Sequence, residues 1–326
     1  MSRVLVTGGA GTIGQAVVRR LLRDQRFEVR VSDQRDAPSW MREGCEVHTG
    51  DLRDRDQAVK ATAGCSHVIH LAAIVGGIAN FHKLPYTLTD VNSSLYNGVV
   101  GAAISCEVER FVYVSSSMVF ENATVFPTPE EHVWECPVPR SAYGFSKLAG
   151  EFWVRAAHDE HGLPYTICRP FNAYGPGERP EDEPGIAHAV PDLIKKCLAL
   201  EAAAGGGRPG PLQIFGDGTH TRTLTHADDI ADGIVTAMAS DAALHEDFNI
   251  SASDELTVAQ IAEIIWEATG LPPEAFALEH LPSFAVDVVR RWPDMSKAER
   301  LLGWKAQIDV RDGIAATTTW LRGLAV

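Results

Sequence analysis

Val4-Leu5-Val6-Thr7-Gly8-Gly9-Ala10-Gly11-Thr12-Ile13-Gly14 runs from three apolar residues straight into a glycine-rich turn. The triplet reads as a short buried strand, and residues 13–22 carry apolar side chains at helical spacing. The turn between them fits both G-x-G-x-x-G (Gly9, Gly11, Gly14) and G-x-x-G-x-x-G (Gly8, Gly11, Gly14). Without Cβ atoms the backbone turns tightly and lets a pyrophosphate approach the helix N-terminus, whose free N–H groups favour an anion. Gly8, Gly11, Thr12, Ile13 and Gly14 are therefore expected to hold a dinucleotide. A glycine-rich turn with no ligand would look the same, so the next strand has to decide. Val31-Ser32-Asp33 ends it nineteen residues after Gly14. A carboxylate at that point accepts the hydroxyls of an adenosine ribose and repels a 2′-phosphate, so Asp33 predicts NAD rather than NADP. Arg35 stands close by and pulls the other way.

Outward from this turn, β-branched runs at 29–32, 68–71, 111–115 and 166–169 alternate with helical patterns at 88–104 and 142–157. Strand–helix alternation implies a parallel sheet covered on both faces, an α/β fold of the Rossmann-type doubly wound kind. After Pro170 the texture changes. Residues 176–185, rich in Pro, Gly and acid, are expected to form an exposed loop, and 201–211 a flexible connector. Short strands at 212–215 and 248–250 follow, with helices near 227–239, 258–269 and 296–302. The expected organisation is a dinucleotide-binding domain over 1–177 and a smaller mixed α/β substrate lobe over 178–326. The helix near 227–239 is expected to pack back on the first domain.

The 326 residues carry a formal net charge of −14, which argues against general nucleic-acid or anionic-membrane binding. An anionic substrate held by a few local arginines is still allowed. Cys45, Cys65, Cys106, Cys136, Cys168 and Cys197 show no C-x-x-C pair, so free thiols in a reducing cytosol are expected and no metal site. The apolar start is too short for a signal peptide, and no run approaches the ~20 apolar residues of a membrane span. A cytoplasmic location is expected.

Tyr143 and Lys147 lie at i, i+4 and so share a helix face. A lysine ammonium beside a phenol, helped by a bound nicotinamide cation, is expected to let Tyr143 exchange protons near neutrality. Upstream, Tyr113-Val114-Ser115-Ser116-Ser117-Met118 ends a strand in three hydroxyls. Together with Gly50-Asp51-Leu52, His70-Leu71-Ala72-Ala73, Arg169-Pro170-Phe171-Asn172-Ala173-Tyr174-Gly175-Pro176 and Phe215-Gly216-Asp217-Gly218-Thr219-His220-Thr221-Arg222, these segments make the chain resemble the extended short-chain dehydrogenase/reductase family. The likeness is to its NAD-dependent nucleotide-sugar epimerases and dehydratases, and it covers essentially the whole chain.

The resemblance implies that Asp51 and Leu52 flank the adenine and that Leu71, Ala72 and Ala73 line the cofactor. It puts the catalytic hydroxyl on Ser116, beside Tyr143 and Lys147. Asn172, Arg222 and one of Arg290 and Arg291 would meet the diphosphate of a nucleotide-diphosphate sugar, while Gly76, Ser117 and His188 would face the sugar. Phe284 takes a place where many 4-epimerases carry the diphosphate arginine. The family also implies a homodimer packed through the 88–104 and 142–157 helices.

Similar enzymes put extra acid/base groups on the two residues after the catalytic serine: Asp-Glu in 4,6-dehydratases, Glu at the second place in sugar-acid decarboxylases, and Cys there in 3,5-epimerases and fucose synthases. Here they are Ser117 and Met118, and a thioether carries no proton. That favours a 4-epimerase, which needs none. The loop Ala73-Ile74-Val75-Gly76-Gly77-Ile78 and His188 pull instead toward a 3,5-epimerase or 4,6-dehydratase using His188. A non-catalytic NAD-binding regulator is a third reading, weakened by the presence of Ser116, Tyr143 and Lys147.

Overall fold

Val4, Leu5 and Val6 are shielded from solvent on both faces of the sheet. A strand needs such a continuous apolar run when helices cover both faces. It belongs to Ser2–Thr7, an interior strand of a seven-stranded parallel sheet ordered Asp247–Ile250, Tyr165–Pro170, Arg110–Val114, His67–His70, Ser2–Thr7, Phe27–Asp33, Glu46–Thr49. Val4 lies opposite Val29 on one side and His67 on the other. The computed structural model describes residues 2–75, 83–180, 187–283 and 288–324. Gly76 and Phe284 lie outside them.

Helices Thr12–Asp24 and Ala227–Ala239 pack together on one face of the sheet. Arg55–Thr62, Pro85–Ser105 and Ala142–His161 cover the other. The doubly wound Rossmann-type sheet expected from the alternation is thus present, and the 227–239 helix packs on it. A further core gathers around Trp266 among helices Ala189–Ala204, Val258–Ala268 and Val310–Leu324. Among the described residues three small sheets accompany it, one of which sets Arg290–Arg291 beside Thr221–Arg222.

Three features differ from the sequence reading. The 248–250 run, expected among the lobe's short elements, pairs with Tyr165–Pro170 as the seventh strand of the main sheet, with Phe248 and Ile250 fully buried. The stretch expected as a connector from residue 201 begins as helix, because its three alanines extend Ala189–Ala204 before Gly205 turns left-handed at φ 53°. Strand Glu46–Thr49 and helix Arg55–Thr62 are not visible in the periodicity at all.

One buried charge cluster ties the sheet to its helices. Arg169 has no exposed surface, and its Nε and Nη2 donate to the two oxygens of Glu151 at 2.8 and 2.7 Å. Nη2 also donates to Asp247 Oδ2 at 2.7 Å, and Asp247 is shared with Arg155 at 3.0 Å and Lys297 at 2.8 Å. Next to it the buried Glu130 accepts the Asn249 N–H at 2.8 Å, and burial pushes its carboxyl up to about 7. A carboxyl raised in the folded state favours folding fully below its unfolded pKa, and that contribution is lost as pH rises through the folded value. Glu130→Gln keeps an acceptor for Asn249 but cannot ionise. Its melting temperature relative to wild type should therefore climb between about pH 5 and pH 8; a constant difference by calorimetry would refute the shift.

Candidate active site

The glycine turn closes on itself. Gly8 sits at φ +70°, and a Cβ there would stand 2.8 Å from the Ala72 backbone nitrogen. A Cβ on Gly14 would stand 2.3 Å from the Gly8 carbonyl oxygen. Leu71 and Ala72 are held against the turn by Thr7, whose carbonyl accepts the Leu71 N–H and whose Oγ1 accepts the Ala72 N–H, both at 3.2 Å. Helix Thr12–Asp24 starts with no side-chain cap, which leaves its first N–H groups for an anion. Asp33 ends its strand beside this turn, with Oδ2 accepting the Ala10 N–H at 2.9 Å. Cβ-free cradle, uncapped helix and adjoining carboxylate fit a dinucleotide.

Arg35 sits on that carboxylate. Its backbone N–H and Nε reach Asp33 Oδ1 at 2.9 and 3.3 Å, and Nη2 reaches Oδ2 at 3.4 Å. Asp51 is similarly held by Arg53, whose hydrogen bonds keep its carboxyl below the usual range, and Leu52 is buried beside it.

At the end of strand Arg110–Val114 the chain stays extended through Ser116 (φ −159°, ψ 152°), whose Oγ accepts the Met118 N–H at 3.1 Å and so caps the short turn Ser117–Phe120. Helix Ala142–His161 starts opposite, capped by Ser141, which accepts the Gly144 N–H at 3.0 Å. Its first two turns bring Tyr143 to a hydrogen bond with Ser116 and Lys147 Nζ to the Val114 carbonyl at 2.9 Å. Burial pushes the Tyr143 phenol up to about 12, with Ser116 and Arg291 opposing, and brings Lys147 down to about 8. In the chain by itself the cost of burying the phenolate dominates that shift, whereas the sequence expectation concerns the phenol with a nicotinamide cation bound beside it.

Ser116 and Tyr143 open onto a cavity of ≈ 550 Å³ that is also lined by Met118, Asn172, His188, Arg222 and Arg291, with Lys147 behind them. Arg291 is the register partner of Arg222 in a parallel pair, so both side chains leave the same face. Adjacent like charges on one face repel, which an anion between them would relieve. Arg291 also donates to Asn172 Oδ1 at 2.9 Å, and its Nη2 lies 2.9 Å from the Met118 sulfur. Arg290, one residue away, faces outward to Glu255 at 2.7 and 2.8 Å and does not line this cavity. His188 pairs with Glu178 at 2.7 Å, and against the cost of burial that carboxylate raises the imidazole pKa.

The structure thus brings Ser116, Ser117, Tyr143, Asn172, His188, Arg222 and Arg291 to one cavity. Two partners escape the sequence reading. Glu178 lies in a loop with no pattern of its own. Glu151 does carry a signal, because it stands four residues beyond Lys147 on the same helix face.

A glycine cradle at the C-terminal end of the first strand, with a Tyr/Lys pair opposite a serine, defines a dinucleotide-dependent enzyme acting on a small substrate in the adjoining cavity. Residues 4–251 match the model of the NAD dependent epimerase/dehydratase family, and the chain belongs to it. The UDP-glucose 4-epimerase of Mycolicibacterium smegmatis is 29% identical over 98% of this chain and 98% of its own length. GDP-mannose 3,5-epimerase 1 of Oryza sativa subsp. japonica is 27% identical over 98% of this chain and 82% of its own. The solved UDP-glucuronic acid 4-epimerase of Bacillus cereus, in complex with UDP-glucuronic acid and NAD, superposes with a TM-score of 0.85 at 26% identity, covering 99% of both chains.

Asp33 leads to the expectation that NAD binds more tightly than NADP by calorimetry, and that Arg35→Ala widens the gap by removing the cation that sits on Asp33. Equal or tighter binding of NADP would make Arg35 a reader of the 2′-phosphate.

Proposed function

We propose that the protein inverts C4 of a nucleotide-diphosphate sugar. The observation that carries this is the pair after Ser116: Ser117 and Met118 line the cavity, and neither can take a proton from a sugar carbon. NAD, when bound, supplies the hydride acceptor and donor at C4 and a positive ring that lowers the phenol's pKa. Tyr143 takes the proton of the C4 hydroxyl and, after the flat 4-keto sugar has turned over, gives it back. Ser116, hydrogen-bonded to Tyr143, stands where its hydroxyl can share the C4 oxygen with the phenol. Lys147, charged up to about pH 8, adds the positive field that a phenolate needs. Asn172, Arg222 and Arg291 grip the diphosphate, the paired guanidinium groups matching its oxygens. Arg290 stays with Glu255.

The His188–Glu178 pair supports a second reading, epimerisation at C3 or C5 or 4,6-dehydration with His188 moving the proton. Such chemistry passes through an enolate and draws hydrogen from solvent, whereas hydride return does not. The resemblance also supports a homodimer, since Phe145, Phe152 and Trp153 are exposed along Ala142–His161. Sedimentation velocity should give twice the monomer mass; a single 35.3 kDa species would remove that part of the proposal.

Tyr143→Phe should lower turnover by roughly 10²–10⁴-fold, the span of a lost acid/base group, with substrate affinity largely kept. Near-normal turnover would undo the whole assignment. Incubation with UDP-, GDP-, dTDP- and ADP-sugars in D₂O, followed by NMR, should show an inverted C4 and no carbon-bound deuterium. Deuterium at C3 or C5 that disappears in His188→Ala would move the assignment to the second reading. Met118→Leu, close in volume and equally unable to carry a proton, should keep most activity.

A further inference from the structure

Positions 143, 147 and 151 fall on one face of helix Ala142–His161, and each meets a different residue where strand Arg110–Val114 runs out. Tyr143 reaches Ser116, Lys147 Nζ donates to the Val114 carbonyl at 2.9 Å, and Ser115 Oγ donates to Glu151 Oε1 at 2.6 Å. Proton transfer uses the first two contacts and leaves the third without a task. Glu151 is 1% exposed, so its charge is costly unless something fixes it. Arg169 fixes it with two hydrogen bonds at 2.8 and 2.7 Å, while Arg169 is itself braced by Asp247 at 2.7 Å. A carboxylate held this rigidly inside the fold, one turn beyond a buried lysine, acts on that lysine's charge.

We propose that Glu151 is a positioning residue for the proton-transferring pair: clamped by Arg169 and Ser115, its carboxylate keeps Lys147 protonated inside the fold. The inference rests on the reading of Tyr143 and Lys147 as that pair.

The groups that face Lys147 leave Glu151 to do this. His70, on strand His67–His70, is buried and neutral, with its pKa brought down to about 3 by burial and then by Lys147 itself. Tyr113, on the adjacent strand, sets its ring 5.4 Å from Nζ, and its phenol is raised well above its ordinary value. Tyr96, from helix Pro85–Ser105, is also raised by burial, as is Tyr143. Among the described residues, the acid that opposes the burial of Lys147 is Glu151. Arg169 limits how much, because it neutralises part of the same carboxylate, and Asp247 draws Arg169 back in turn.

The test reads Lys147 directly, in protein as purified and labelled with ¹³C at lysine Cε, with the signal assigned by Lys147→Arg. In wild type Lys147 should titrate near 8; a titration below about 7, toward the range of unpaired buried lysines, overturns the proposal with no variant needed. In Glu151→Gln the midpoint should fall by about one pH unit, the size expected for losing a nearby opposite charge. Asp247→Asn weakens the same buried cluster and should lower the melting temperature as well, yet move the Lys147 midpoint by clearly less than Glu151→Gln does, since it acts on Glu151 only through Arg169. An unmoved midpoint in Glu151→Gln, or an equal fall in both variants, refutes the specific role. Turnover follows: Glu151→Gln should lose kcat on the alkaline side first, with KM unchanged. Because the titration needs no sugar, a protein inactive on every nucleotide sugar would remove the proposed function and leave the Lys147 result standing.

Discussion

The Arg169–Glu151 pair is the contact on which the geometry of the site depends. Arg169 comes from strand Tyr165–Pro170 and Glu151 from helix Ala142–His161, and the pair reaches Asp247 on the edge strand and the Glu130 carbonyl in the segment between strand Arg110–Val114 and that helix. Four segments distant in the chain are thereby set at fixed distances. A buried ion pair is weak evidence of net stability, because desolvation offsets most of its attraction. Removing one partner is a different matter, since an unpaired buried charge costs about 3–5 kcal/mol. The cluster therefore specifies an arrangement more than it strengthens one. What it specifies is the position of the strand end from Val114 to Ser116 against the helix that carries Tyr143 and Lys147.

Much of the fold is legible where local pattern and tertiary need agree. Strands Ser2–Thr7, Arg110–Val114 and Tyr165–Pro170 are buried on both faces, so the requirement for apolar β-branched residues is written into each run. Glu46–Thr49 is illegible for the opposite reason. As an edge strand of four residues, two of them exposed, it needs neither alternation nor a long apolar run. Asp247–Ile250 reads easily as a strand but not as part of the main sheet, because its partner lies about eighty residues earlier and no local signal encodes that pairing.

The site divides along the same line. Gly8, Gly11 and Gly14, and likewise Tyr143 and Lys147, work at spacings set by one turn or one helix, and such spacings survive in a sequence. The arginine proposed for the diphosphate does not. Arg290 and Arg291 differ only in which way a two-residue strand presents them, and that follows from pairing with Thr221 and Arg222. One residue of slip would exchange their roles. Likewise Met118 shows in the sequence as a residue without a proton, while its contact with Arg291 depends on a lobe joined to it only in space.

Burial sets the electrostatics of the pair in opposition to its work. An exposed lysine and tyrosine titrate at nearly the same pH, so either would give up its proton with similar ease. Inside this fold the phenol has moved up to about 12 and the ammonium down to about 8, since burial penalises whichever form is charged. A positive charge brought next to Tyr143 eases the first penalty and worsens the second, because the same field that stabilises a phenolate repels an ammonium. The two shifts can be relieved together only if a negative charge lies on the lysine's far side, away from the phenol. Glu151, one helical turn beyond Lys147 and held off the phenol by Arg169 and Ser115, lies on that side.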